Sequence, residues 1–101
     1  MSGALARITF AGEIIEWRGP APFLFVPVPA EHVAELRYAA REASYGWGCI
    51  PVAARIGATD FATSLFPRGE TYFLPVKVAV QRAEGVGLGD GVTAEIAVIR
   101  R

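Results

Sequence analysis

The chain has 101 residues, of which 52% are hydrophobic and 20% are charged. This amount of apolar material supports a single domain over residues 1–101 with one buried core, and it argues against disorder. Ten basic side chains balance ten acidic ones. Nucleic-acid-binding domains usually carry an excess of positive charge that neutralises phosphates, so this balance argues against a nucleic-acid partner.

The cysteine count and the hydropathy exclude further classes of protein. Cys49 is the only cysteine, which excludes an internal disulfide and a thiolate cluster for zinc or iron–sulfur chemistry. No segment approaches the roughly 18 consecutive apolar residues that cross a bilayer, and the N-terminus lacks the pattern of a signal peptide. We therefore expect a cytoplasmic protein with no membrane partner, no bound metal and no cofactor.

The first predicted element is a bent strand over residues 7–17. Ile8 and Ile14 fall on one parity, whereas Trp17 falls on the other. A strand turns successive side chains to opposite faces, so the change of parity predicts a bulge within residues 12–15. The segment EWRGPAP that follows is rich in Gly and Pro and predicts a turn.

A second strand and a helix are predicted next. Residues 22–29, PFLFVPVP, are aromatic and β-branched, and Pro27 has no backbone N–H. This strand therefore lies at a sheet edge, or Pro27 lies near the end of the strand. The apolar spacing of residues 30–43 predicts a helix that ends at the segment SYGWG. Its narrow apolar stripe comprises Val33, Leu36 and Ala40.

The middle of the chain predicts consecutive β-hairpins. Residues 50–56 turn apolar side chains to one face and Arg55 to the other, and the next strand turns Leu65 inward and Ser64 outward. A turn at residues 66–69, with Pro in its second position, then leads into the strand TYFLPV. Short strands joined by tight turns are typical of a small barrel.

Apolar residues at helical spacing predict a short second helix that ends at Gly85. Its inward residues are Val76, Ala79, Val80 and Ala83, and its water-facing residues are Lys77, Gln81 and Glu84. The following GVGLGDG lacks the glycine spacing of a dinucleotide site and comes after a helix rather than before one. It predicts a helix C-cap and a tight turn before the last strand, VTAEIAVI.

Few residues of the chain carry reactive groups. His32 and Cys49 are the only residues of their kinds, and their positions do not favour a nucleophilic pair. No group of carboxylates has the spacing of metal ligands. The aromatic residues fit either a pocket or the core, and their place in a small barrel favours the core. These residues are Trp17, Phe23, Phe25 and Trp47.

Four segments occur in a recognisable order: F-x-G-x-I, then FLFVPVP, then SLFPRGETYFLPV, then GLGDGVTAEIAV. Over residues 5–99 the chain resembles a widespread bacterial family of domains of unknown function that is grouped with the YdeI/OmpD-associated proteins. The resemblance implies a small split β-barrel with one or two helices, similar in layout to the double-split barrels of AbrB-like and MazE-like transcription regulators. It implies no established reaction and no catalytic residues.

We expect a β-rich domain, all-β to α+β, that forms a small split β-barrel of about six strands with two short helices. The function that we favour is non-enzymatic binding of a small ligand or a protein partner. The edge-like second strand favours a homo-oligomer. The candidate ligand-binding residues are Arg55, Ser64, Arg68, Tyr72 and Lys77.

Two alternative functions make different demands on the structure. An enzyme would need polar side chains that converge on one concave pocket; these are Ser64, Arg68, Tyr72 and Lys77. A nucleic-acid-binding regulator, suggested by analogy of fold alone, would need a continuous basic surface. Its candidate residues are Arg37, Arg41, Arg82, Arg100 and Arg101.

Overall fold

The computed structural model describes residues 4–17, 23–44 and 48–99. The strands in these ranges are β1 (Ala4–Glu13), β2 (Ile15–Trp17), β3 (Phe23–Pro27), β4 (Ile50–Ile56), β5 (Thr59–Arg68), β6 (Thr71–Pro75) and β7 (Gly91–Ile99). The helices are α1 (Val33–Ala43), which continues a short 3₁₀ turn at Ala30–His32, and α2 (Val78–Glu84). None of these helices has the length and hydropathy of a membrane-spanning helix.

The strands form one antiparallel sheet of seven strands in the order β1-β7-β4-β5-β6-β3-β2. The sheet curls into a half-barrel, and the predicted β-rich fold with two short helices is confirmed. The number of strands is seven rather than about six because the predicted first strand is divided in two at Ile14.

The bend at Ile14 carries the chain from one edge of the sheet to the other. The side chain of Ile14 is fully buried. Its backbone N–H donates to the carbonyl of Asp90 over 2.9 Å, and its own carbonyl accepts from the N–H of Gly89 over 2.9 Å. A Cβ on Gly12 would lie 2.7 Å from Cγ1 of Val26, so a glycine is needed where β1 approaches β3. The predicted break within residues 12–15 is confirmed, because β1 ends at Glu13 and β2 begins at Ile15. The predicted switch of faces is wrong, since Ile14 is buried whereas Trp17 lies opposite Phe23 on the other face of the sheet.

The strand β3 lies inside the described sheet, between β6 and β2. The edge-like character expected of this strand is therefore wrong for the described sheet, in which β1 and β2 form the edges. The other expectation for this segment is confirmed, because Pro27 is the last residue of β3. A missing N–H at the end of a strand removes no hydrogen bond from the interior of the ladder.

Alternate residues of the strands fill a single core beneath the half-barrel. The alternation Val92, Ala94, Ile96 and Val98 predicts the inward face of β7; the last three are buried and Val92 is half-buried against the core. The inward positions expected of Leu65 and Val76 are confirmed, and Tyr72 and Leu74 on β6 are buried with them. The stripe of α1 differs from the predicted one, because Ala39 and Ala43 are buried whereas Ala40 is only half-buried. Its buried residues are Val33, Leu36, Ala39 and Ala43.

The strand β5 is longer than predicted and connects the two halves of the sheet. Its earlier residues pair with β4, whereas its last residues pair with β6. The turn predicted at residues 66–69 is wrong, since Pro67 and Arg68 belong to β5 and the turn comprises Gly69 and Glu70. A two-residue hairpin turn needs a positive φ, which Gly69 supplies at +60°.

Helix α2 begins at Val78, two residues later than the apolar spacing predicted, and ends at Gly85 as predicted. Gly85 has a φ of 65° and forms a left-handed C-cap. The tight turn that follows is confirmed: the Asp90 carboxylate accepts from the backbone N–H of Gly87 over 2.8 Å. GVGLGDG is thus a cap and a turn in the chain.

Glu84 does not face water as predicted. Its carboxylate accepts hydrogen bonds from the backbone N–H of Ala58 and from the hydroxyl of Thr59. Both donors lie at the turn between β4 and β5, about a quarter of the chain away in sequence. Helix α2 is therefore fastened at its end to this hairpin.

Candidate functional site

The outer face of the sheet, which points away from the core, has two halves of different chemistry. We call the outer side chains of β1, β7, β4 and residues 59–65 of β5 the charged half. We call the outer side chains of β2, β3, β6 and the remainder of β5 the aromatic half. Directly opposite residues share a face. Trp17 is opposite Phe23, and Phe66 is opposite Phe73, which places their rings in the aromatic half.

Phe25 is the centre of the aromatic half. Its ring centroid lies 5.6 Å from that of Phe73, 6.0 Å from that of Phe66 and 6.4 Å from that of Phe23. These distances are typical of favourable tilted and edge-to-face ring pairs. Phe25 is only 5% exposed although it points away from the main core. The aromatic rings therefore form a second, smaller apolar cluster.

The rings around Phe25 remain open to solvent. Trp17 is 39% exposed, Phe66 43% and Phe23 60%. Between them runs a groove of about 420 Å³, which we call the aromatic groove. Its volume falls within the range of small-molecule sites, roughly 300–1,000 Å³. The described residues that line it are Trp17, Phe23, Phe25, Cys49, Phe66, Pro67, Arg68 and Phe73.

Arg68 supplies the polar group of the aromatic groove. Its guanidinium carbon lies 3.5 Å from the centroid of the Trp17 ring, which is a close cation–π contact. Among the described residues that line the groove, Arg68 alone carries a charge. No described acidic residue forms an ion pair with it. Within the described part of the chain, the groove thus combines apolar walls with a cation that has no acidic partner.

The charged half contains an ion pair between neighbouring strands. Arg55 is opposite Asp60 on β5 and Glu95 on β7. Its Nη1 lies 3.4 Å from the Asp60 carboxylate, and its Nε donates to the carbonyl of Gly57 over 3.2 Å. These strands border a depression of about 650 Å³. Alternating charges that satisfy one another in water are typical of a solvated surface.

The five predicted ligand-binding residues do not occupy one site. Arg68 lies in the aromatic groove, whereas Arg55 lies in the charged half. Ser64 is on the outer face, opposite Pro51 on β4. Tyr72 belongs to the main core, on the other face of the sheet. Ligand binding by Arg55, Ser64 and Tyr72 stays a prediction.

Lys77 is the remaining member of the predicted set, and it has a structural contact. It precedes α2, and its ammonium group donates to the carbonyl of Ala62 on β5 over 2.6 Å. This hydrogen bond ties the start of α2 to the sheet. A role of Lys77 in ligand binding also stays a prediction.

The expected core positions of the aromatic residues are only partly correct. They are wrong for Trp17 and Phe23, which are exposed, whereas Phe25 is buried as expected, although in the smaller aromatic cluster; Trp47 lies outside the described residues. Two groove residues, Phe66 and Phe73, were missed in the sequence. Strand parity could have found both, because each alternates with a core residue of the same strand.

The remaining chemical groups do not assemble into a second site. Within the described ranges, no group of three or more His, Cys, Asp or Glu residues could hold a metal ion. His32 lies beside the ring of Phe10, with centroids 6.4 Å apart, and its Nε2 is 3.5 Å from the Glu31 carboxylate. Cys49 borders the aromatic groove.

These features define a small β-rich domain with a half-barrel sheet and an open aromatic groove. A family model matches residues 10–96, and the chain belongs to that family, the domain of unknown function DUF1905. The expected membership of an uncharacterised domain family is confirmed. All described residues that line the aromatic groove fall within the matched region. No curated protein matches the chain.

Proposed function

We propose that this protein is a non-enzymatic binding domain that holds a small apolar ligand in the aromatic groove. The observation that carries the proposal is the exposure of Trp17, Phe23 and Phe66 around an almost buried Phe25. Contiguous exposed apolar surface has a cost in water, and in soluble proteins it commonly marks an interaction site. The core does not need these rings, since they lie on the opposite face of the sheet.

The exposed rings set an upper bound on the affinity that we expect. Covering the area of one aromatic side chain, roughly 150 Å², at about 25 cal/mol per Å² provides about 4 kcal/mol, which the loss of translational and rotational freedom on binding largely offsets. We therefore expect a dissociation constant of about 1 mM or weaker. A plain aromatic ring is thus expected to bind weakly, and polar contacts have to supply any tighter affinity.

The enzyme alternative has less support. It needs Ser64, Arg68, Tyr72 and Lys77 to meet at one point. Tyr72 points into the core, Ser64 and Arg68 point outward, and Lys77 donates to a backbone carbonyl. The groove itself offers aromatic walls and a guanidinium, a combination that suits binding and orientation.

The nucleic-acid alternative also has less support. Arg41 lies over the ring of Tyr38, with its guanidinium carbon 5.6 Å from the ring centroid. Arg100 and Arg101 lie outside the described residues. The balanced net charge continues to argue against phosphate binding as the main function.

A protein partner remains the second candidate, because exposed aromatic residues and arginine are enriched at the centres of protein interfaces. A cytoplasmic location, a bacterial origin, a grouping with the YdeI/OmpD-associated proteins and a homo-oligomeric state are further parts of the proposal. The single unpaired Cys49 supports the reducing compartment.

The proposal is tested by titrating ¹⁵N-labelled protein with indole, a neutral aromatic probe. We expect amide shifts at residues of β2, β3 and β6, and a weaker response in Phe66→Ala, which removes one wall of the groove. Tyr38→Ala is the matched control, since Tyr38 is an exposed aromatic residue of α1 that is 73% exposed. Shifts that are absent from the groove, or that Tyr38→Ala abolishes equally, would refute the proposal.

A further inference from the structure

The charge of the aromatic groove is unbalanced, and the imbalance is specific to this half of the sheet. Arg55 in the charged half has Asp60 within ion-pair distance, whereas no described carboxylate pairs with Arg68. Both arginines are exposed on the same outer face of the sheet. The difference is therefore one of local partners and not of burial.

The contact with Trp17 leaves the hydrogen-bonding edge of Arg68 available. At 3.5 Å from the ring centroid, the guanidinium carbon lies at the separation of stacked planes. A guanidinium that stacks by its face directs its N–H groups outward in its own plane. A carboxylate can then accept two parallel hydrogen bonds from that edge.

We infer that the ligand of the aromatic groove is a small aromatic carboxylate, whose ring packs among the phenylalanines and whose carboxylate pairs with Arg68. This inference rests on the proposed function and specifies its ligand class. The described lining of the groove offers one positive charge, which suits a monoanion. Because Trp17 already orders the Arg68 side chain, binding loses less side-chain entropy than at an unrestrained arginine.

A second copy of the chain is a poorer occupant of the groove. Two-fold pairing brings the same surface of each copy together, and a residue near the axis then faces its own equivalent. Two Arg68 guanidiniums would approach each other, and the described lining residues include no acid to separate them. An anionic ligand would neutralise the positive charge of Arg68, whereas a symmetric dimer would place two such charges next to each other.

The test compares two probes of nearly equal shape, 2-naphthoate and its neutral amide, 2-naphthamide, by ¹⁵N titration at low ionic strength. We expect naphthoate to bind about tenfold more tightly, the gain of a charge-assisted bidentate contact at an exposed site. Raising the ionic strength from about 20 mM to about 200 mM should weaken naphthoate and leave naphthamide unchanged. This comparison needs no variant.

Variants then assign the preference to Arg68. Arg68→Gln should remove the preference for naphthoate, and Arg68→Lys should keep part of it, because a lysine retains the charge without the planar fork. Arg41→Gln is the matched control, since Arg41 also lies over an aromatic ring but on α1. This control should leave the preference unchanged.

The outcomes separate the two proposals. Equal binding of both probes in the groove would overturn the inference and leave the proposed function standing. If neither probe shifts the amide signals of groove residues, the inference and the proposed function are both overturned. A preference for naphthoate that persists in Arg68→Gln, or that maps to residues of another surface, would also overturn the assignment to Arg68.

Discussion

The two halves of the outer face belong to one sheet and cover one core, yet they expose different kinds of side chain to solvent. The charged half presents side chains that pair with one another, as Arg55 does with Asp60. The aromatic half presents rings that cluster around Phe25 and a cation, Arg68, without a described acidic partner. The charges of the first half are solvated, whereas the aromatic half leaves apolar surface in contact with water, and covering that surface would be favourable.

This difference is the basis for proposing that the exposed rings of the aromatic half bind a further molecule, in addition to the stability that the buried Phe25 provides. A β-sheet with a single buried face usually turns polar side chains to solvent, as the charged half does. β5 passes from one half to the other, carrying Asp60 in the first part and Phe66 in the second. The change in chemistry along a single strand shows that strand geometry does not impose it.

The largest effect is expected for Phe25→Ala. This ring is 5% exposed and contacts three other aromatic rings. Removing a buried phenylalanine leaves a cavity and should lower the free energy of unfolding by about 3 kcal/mol. Urea denaturation measures the change, and Phe25→Leu, which fills most of the space, should cost clearly less. A loss below about 1 kcal/mol would mean that the rings are not a packed cluster.

Gly12→Ala tests the seam at which β1 of the charged half approaches β3 of the aromatic half. The new methyl group would meet Cγ1 of Val26 at 2.7 Å, and Val26 is fully buried. Overpacking of this kind costs about 1–3 kcal/mol, which outweighs the gain of roughly 0.4–1 kcal/mol from a less flexible unfolded chain. Gly87→Ala is the control, since its Cβ would meet nothing within 4 Å.

Thermal or urea unfolding of both variants distinguishes the outcomes. We expect Gly12→Ala to be destabilised by about 1–2 kcal/mol and Gly87→Ala to change little. Equal stability of Gly12→Ala and the natural chain would show that β1 and β3 are not in close contact at this point.

Trp17→Ala separates binding from stability within the aromatic half. Trp17 is 39% exposed and supports the Arg68 side chain. We expect the affinity for indole to fall about tenfold, a change of about 1.4 kcal/mol in binding free energy. Trp17→Phe, which keeps a ring, should retain most of the affinity. If Trp17→Ala binds indole as tightly as the natural chain does, Trp17 is not part of the binding site.

Much of the fold follows from alternation in the sequence. The pattern Val92, Ala94, Ile96, Val98 has polar or small neighbours on the other parity, so its inward face is unambiguous. The break at Ile14 coincides with a change in the parity of the apolar residues, although that change arises because Trp17 faces outward and not because the inward face switches. Both features depend on neighbours along the chain, which the sequence displays directly.

The aromatic groove could not be assigned in the same way, because β3 is apolar on both faces. In FLFV, Phe25 points outward and Val26 inward, and alternation alone does not say which face meets the core. The contact between Glu84 and Thr59 was hidden for another reason, since it joins α2 to a distant hairpin. Contacts that depend on tertiary approach leave no local pattern.

The smallest effect is expected in the charged half, from the pair Arg55 and Asp60. The two side chains are exposed, and Nη1 of Arg55 lies 3.4 Å from Oδ1 of Asp60, so salt and water weaken their attraction. A double-mutant cycle with Arg55→Ala and Asp60→Ala should give a coupling of about 0.5 kcal/mol or less in unfolding free energy. Neither variant should change naphthoate binding in the aromatic groove. A coupling well above about 1 kcal/mol, or a loss of ligand binding, would show that the two halves depend on each other and that their division of roles is wrong.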